Sequence, residues 1–139
     1  MSSGNPAAPI SKKRLWAGRI LSALPVLLMV FTGVFGVLKP AVALAGFVHY
    51  GYPESAFLPI CIVEIACAIV YAIPRTSVLG AILVTGYLGG ATATHVRAGE
   101  PFFLPAIVGV LVWGGLFLRD DRLRALVPLR TQTDQRPAG

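Results

Sequence analysis

The chain alternates long apolar runs with short polar or proline-containing breaks. Ile20 to Leu38 is nineteen residues without a charge, enough for a helix to cross the hydrocarbon core of a bilayer. Ala56 to Ile73 is eighteen residues with a single charge, Glu64, near its middle. Val78 to Thr94 and Phe102 to Leu118 are each seventeen residues and uncharged. With flanking residues carried into the interface, the pattern predicts four helical spans at about 15–38, 54–73, 77–95 and 102–118. The expected fold class is all-α, an integral membrane, antiparallel four-helix bundle.

The breaks refine this picture. Pro25 lies inside the first run and removes one backbone bond, so a kink near Leu21 is expected, tolerable where neighbouring helices shield the freed carbonyl. Ala41 to Val48 is apolar but too short to cross, and is expected at the interface or shallowly re-entrant. Tyr50-Gly51-Tyr52-Pro53 marks a turn, with Pro53 suited to the start of the next helix and Glu54 to its positive dipole end. Pro74-Arg75-Thr76-Ser77 is a turn so short that the helices it joins must be antiparallel neighbours. His95 to Pro101 reads as a second external loop, and Arg119-Asp120-Asp121-Arg122 as a sharp end to the last span, with a short helix near Leu123 to Val127 after it. The expected division is a disordered cytoplasmic N-terminus at 1–14, a transmembrane domain at 15–119 and a basic cytoplasmic tail at 120–139. A secretory signal ending at Ala43-Leu44-Ala45 fits poorly. The first run is longer than an h-region of about 7–15 residues, and Lys39-Pro40 interrupts it before the small residues.

Composition and charge agree with a membrane location. Only 13% of the 139 residues are charged and 55% are hydrophobic, whereas a soluble domain carries about 25% charge. The net charge of +6 lies at the edges of the apolar runs. With the N-terminus inside, Lys12, Lys13, Arg14, Arg19, Arg75, Arg119, Arg122, Arg124, Arg130 and Arg136 fall on the cytoplasmic side, against Lys39 and Arg97 outside. Ten against two places both termini of a multi-pass cell-membrane protein in the cytoplasm. Aromatic and basic residues do not interleave into a base-stacking surface, so nucleic acid is excluded as a partner and the lipid bilayer is the expected one.

Glu64 carries the chemistry. An acid at mid-bilayer costs about 2.5–3.5 kcal/mol on insertion scales, so it is a functional candidate by default. Helical spacing puts Phe57, Cys61, Glu64, Cys67, Ala68 and Tyr71 on one stripe, the least lipid-like face of that span. The stripe is expected to point inward, where Thr85, Tyr87, Thr92 and Thr94 of the third span are available partners. An unpaired carboxyl there has its ionised form disfavoured. His95, Arg97 and Lys39 mark the external mouth, with Glu64 about 12 Å below the outer end of its helix at about 1.5 Å per residue. The functional reading is a half-channel or pocket that exchanges protons or holds a polar head group such as a quinone's. The plain alternative has His95 and Arg97 snorkelling to phosphates while Glu64 only ties helices together. No metal site is expected, since His49 and His95 are the only histidines and share no ligand spacing. Cys61 and Cys67 are too far apart on one helix to bridge.

Small residues predict how the helices pack. Gly86 and Gly90 form a GxxxG pair, extended by Ala93, and the first span offers Gly33 and Gly36. Such residues permit close helix approach, within one chain or against a protein partner or second copy in a homodimer.

Leu58 to Arg75, then Val78-Leu79-Gly80-Ala81-Ile82-Leu83, then the run from Gly86 to Arg97 resemble the DoxX-like family of small four-helix membrane proteins. Tyr50-Gly51-Tyr52-Pro53 and Trp113-Gly114-Gly115-Leu116 fit as well, as does the acid at Glu64. The resemblance implies no particular reaction and carries over no catalytic residue. Its wider superfamily includes membrane subunits associated with quinone-linked sulfur oxidation and redox-stress complexes. It therefore implies a redox-associated subunit handling protons or a quinone-like ligand near Glu64 and His95. The alternatives are a non-catalytic scaffold that docks partners through its basic tail, and, less favoured, a small-solute permease.

Overall fold

The computed structural model describes residues 11–127, all of whose regular structure is helical. Expectations for residues 1–10 and for the tail beyond Val127 lie outside the described residues. The helices are α1 (Lys12–Leu38), α2 (Pro40–His49), α3 (Phe57–Ala72), α4 (Ser77–Ala98), α5 (Phe103–Arg119) and α6 (Asp121–Leu126), with a 3₁₀ turn at Glu54–Ala56 leading into α3. Three stretches are long and apolar enough to cross a membrane: Lys12–Leu38, Glu54–Ala72 and Ser77–Ala98. α5 is apolar too but has 17 residues.

Helix ends follow local chemistry. α1 begins at Lys12 rather than at 15, and Arg14 in its first turn bonds the Leu118 carbonyl and, at 3.0 Å, Asp121. Lys39 separates α1 from α2, whose first residue is Pro40, where the missing N–H costs nothing. The short apolar stretch 41–48 is thus a helix of its own. α4 continues through His95, Val96 and Arg97 instead of opening into a loop at His95. It stops at Gly99, whose φ of 72° is left-handed, and the N–H of Glu100 closes back on the His95 carbonyl at 2.9 Å. Asp120 caps α6 by accepting from the N–H groups of Arg122 and Leu123.

α1 packs against α3 and α5, and α4 packs against the same two helices. Contacts fix the directions. Gly36 meets Cys61 while Ser22 meets Tyr71, so α1 and α3 are antiparallel. Gly18 meets Gly115 and Arg14 meets Leu118, so α5 also opposes α1. Glycines permit these approaches at two points above all. A Cβ on Gly115 would strike Ser22, and one on Gly80 would fall onto the backbone of Tyr71. The core includes Met29, Ala68, Tyr71, Val84, Val112 and Leu116. At its centre the Tyr71 hydroxyl donates to the Val112 carbonyl at 2.8 Å and lies 2.9 Å from Ser22 Oγ, tying three helices together. The Arg119 guanidinium lies over the Tyr71 ring, 5.3 Å from its centre.

The outer surface is apolar. Leu27, Phe31, Ile62, Ile69, Leu79 and Val110 are all exposed, while Ser22, Ser77 and Thr94 are buried. That distribution suits a molecule surrounded by hydrocarbon, since large contiguous apolar surface is not left facing water.

Candidate functional site

α3 builds the site because its polar stripe has nowhere else to go. Phe57, Cys61, Cys67, Ala68 and Tyr71 are buried, and Glu64 on the same face is half-buried. Both cysteines are free. Glu64 lines an open cavity of about 510 Å³ with walls from α1, α2, α3, α4 and α5. Its partner is Thr32 of α1, whose Oγ1 donates to Glu64 Oε1 at 2.6 Å. The same hydroxyl is 2.9 Å from the Leu28 carbonyl and 3.1 Å from that of Met29. Tyr87 of α4 turns its phenol toward the same carboxyl. One acid, one alcohol and one phenol therefore converge from three helices onto a cavity whose other walls are mainly Leu28, Phe57, Leu88, Leu104 and Val108.

His95 lines this cavity too. Its Nδ1 lies 2.8 Å from the Ala91 carbonyl one turn back, which leaves Nε2 as the other ring nitrogen available to a ligand or water. The Tyr50 ring packs beside the imidazole, with centres 5.4 Å apart. A second cavity of about 350 Å³ adjoins, sharing Phe47, Tyr50, Ile60, Tyr87, Ala91 and His95 with the first.

The end nearest His95 is fastened by polar contacts. Tyr50 donates to Glu100 at 2.6 Å, His49 Nε2 is 3.3 Å from the other Glu100 oxygen, and Arg97 donates to the Tyr50 carbonyl at 2.6 Å. Tyr52 and Thr94 share a hydrogen bond of 2.6 Å, and Arg97 sits over the Tyr52 ring. The Tyr50 hydrogen bond holds the Glu100 carboxyl below the usual carboxylate range, partly offset by burial, with His49 and His95 pulling the same way as Tyr50. The same bond to Glu100, with burial and the carboxylate's charge behind it, pushes the Tyr50 phenol up.

Of the six residues singled out for a pocket, three converge: Glu64, Tyr87 and His95. Arg97 stands outside the cavity, holding Tyr50 in place. Thr92 does not join them. It lies five residues beyond Tyr87, which turns it to the groove between α4 and α5, beside Thr85 and Trp113. Trp113 occupies Thr85 there, donating to its hydroxyl at 2.8 Å. Lys39 is exposed at the α1–α2 junction and lies off both cavities. Among the packing residues, Gly33 and Gly36 meet Ile65 and Cys61 of α3. Gly86 and Gly90 instead face open space, and Ala93 is exposed. Thr32 escaped the sequence reading, although it is the only hydroxyl in the outer half of the first apolar run.

A family model described as the DoxX-like family matches residues 20–115, well over half of the chain. No curated protein and no solved structure matches it.

Proposed function

The chain belongs to the DoxX-like family of membrane proteins, and on that premise we propose that it is a four-span bundle whose central cavity holds the polar head of a quinone-like ligand. α1, α3, α4 and α5 are the spans in this reading. α5 with 17 residues reaches about 26 Å at about 1.5 Å per residue, close to the thickness of the hydrocarbon core. The Lys and Arg distribution supports a cytoplasmic location for the α1 N-terminus and the α5 C-terminus, which lie together at the Arg14–Asp121 ion pair.

The observation that carries the proposal is the convergence of Glu64, Tyr87 and His95 on one apolar-walled cavity. Binding sites for small amphiphiles have this character: mostly apolar lining, with a few polar groups to orient the head. A cavity of about 510 Å³ falls in the usual range for such ligands. Glu64 and Tyr87 would bond a quinone carbonyl or quinol hydroxyl at one side of the head, with His95 as the proton-exchanging group nearer the external end. The family relationship supports a redox-associated setting. The chain's own part in that setting is binding and proton exchange.

The test is equilibrium binding of decylubiquinone to the purified full chain in nanodiscs. Wild type is expected to bind saturably, and Glu64→Gln to lower affinity at least tenfold with insertion unchanged. Undiminished binding by Glu64→Gln together with Tyr87→Phe removes the basis of the proposal.

A further inference from the structure

We propose that the ligand reaches the Glu64–Tyr87 pocket sideways from the bilayer, through the seam between α3 and α4, with Gly86 and Gly90 as the sill of the opening. This rests on the head-group reading above and adds the route and the residues that set it.

Two independent features of the cavities support the route. The smaller cavity, about 350 Å³, is lined by Gly86 and Gly90 and shares Ile60, Tyr87 and His95 with the larger one. It therefore connects the Gly86–Gly90 face of α4 with Tyr87 and His95, which also line the Glu64 cavity. Gly86 and Gly90 are exposed, and a Cβ built on either meets nothing within 4 Å. Among the described residues they do not serve close helix approach, unlike Gly80 or Gly115. Their missing side chains keep the opening wide.

The second feature is the covered external end. Phe47 of α2 stacks on Tyr52 with ring centres 4.9 Å apart, and Tyr52 is bonded to Thr94. Tyr50 is held by both Glu100 and Arg97. A ligand arriving from water would have to undo several contacts, three of them at 2.6 Å. One dissolved in the bilayer meets an apolar helix surface interrupted by glycine. Gly86 and Gly90 lie about halfway along α4 (Ser77–Ala98) and toward its His95 end, a depth open to a molecule that partitions into the leaflet on that side.

The experiment uses the full chain in liposomes and a photoreactive azido analogue of decylubiquinone, with labelled residues mapped by mass spectrometry. Wild type is expected to label around Glu64 and Tyr87. Gly86→Leu with Gly90→Leu should reduce the initial rate of that labelling at least tenfold. Gly89→Leu, which faces the α4–α5 groove and not the seam, should leave it within twofold. Gly90→Val alone, a smaller obstruction, should give an intermediate rate and serves if the double variant does not insert. Cavity labelling at the wild-type rate in Gly90→Val and in the inserted double variant overturns lateral access and leaves the head-group site standing. Absence of cavity labelling in wild type overturns both. A change in the mass of the detergent-solubilised particle with labelling rate intact also overturns the route, and makes the glycine face a helix-docking surface.

Discussion

Thr32 Oγ1 and Glu64 Oε1 stand 2.6 Å apart, joining the outer half of α1 to the middle of α3. The Thr32 hydroxyl has one hydrogen and three acceptors in reach: Glu64, the Leu28 carbonyl and the Met29 carbonyl. With Glu64 protonated, the carboxyl can donate to Thr32 in place of accepting from it, which frees the Thr32 hydrogen for one of the two carbonyls. Thr32→Val removes the alcohol while keeping the shape. The carboxyl C=O stretch of Glu64, isolated by an infrared difference against Glu64→Gln, should shift to higher frequency in Thr32→Val and stay in place in Thr32→Ser. An identical band in wild type and Thr32→Val would show that the two side chains are not bonded.

Tyr71→Phe keeps the ring, and with it the Arg119 contact, but removes the hydroxyl that links Ser22 and Val112. Helix-to-helix hydrogen bonds inside membrane proteins average about 0.6 kcal/mol and reach about 1.7. Unfolding in mild detergent should show a loss of about 1 kcal/mol. Ser22→Ala added to Tyr71→Phe should cost less than the sum of the single changes, since both delete one interaction.

Gly80→Ala and Gly33→Ala separate backbone from side-chain crowding. At Gly80 the new methyl would lie on the Tyr71 backbone, which cannot move without separating α3 from α4. At Gly33 it meets Ile65 Cγ1, a side-chain atom, so the clash can be relieved by a small local shift of α1 without moving the α3 backbone. Gly80→Ala is expected to cost about 3 kcal/mol or more and Gly33→Ala about 1. Gly89→Ala, with nothing within 4 Å, should be neutral or stabilising by up to about 1 kcal/mol. Equal melting temperatures for Gly80→Ala and Gly89→Ala would contradict the close α3–α4 approach.

The Tyr50–Glu100 fastening of α2 should depend on pH at both extremes. Glu100 has its folded value lowered, so its contribution is present above the ordinary carboxylate pKa of about 4.3 and is lost as pH falls through the lower folded value. Tyr50 has its folded value raised, so its contribution is present below about 10 and is lost as pH rises through the higher folded value. The groups facing the pair are His49, His95 and Arg97. Spin labels at exposed Val42 and Ile107 should report one narrow distance across neutral pH and a broad one below about pH 4 and again well above about pH 10. Tyr50→Phe should move that acid midpoint upward. An unchanged midpoint would mean that the phenol does not hold Glu100.

Much of the helical frame was legible in the amino acids, and the reasons are local. Apolar run length and the breaks at Pro40, Pro53 and Pro74 act within a few residues of where they stand. The buried stripe of α3 was legible for the same reason, because 3.6-residue spacing places Cys61, Cys67, Ala68 and Tyr71 on one face whatever lies opposite. The extension of α4 past His95 was missed because a histidine and an arginine near a membrane edge read as loop residues. They serve equally well in a last helical turn, where they complement the negative dipole end.

Sequence by itself determined roughly where the four long apolar helices run and that an acid sits midway along one of them, since both depend on periodicity and burial of a single segment. Only the tertiary structure decided which hydroxyl meets that acid, because the rotation of α1 about its axis is set by Gly33 and Gly36 seating on Ile65 and Cys61. Packing likewise turned Gly86 and Gly90 outward and Thr92 away from Tyr87. A small residue permits close approach but does not choose the neighbour; that choice belongs to the whole set of helix contacts at once.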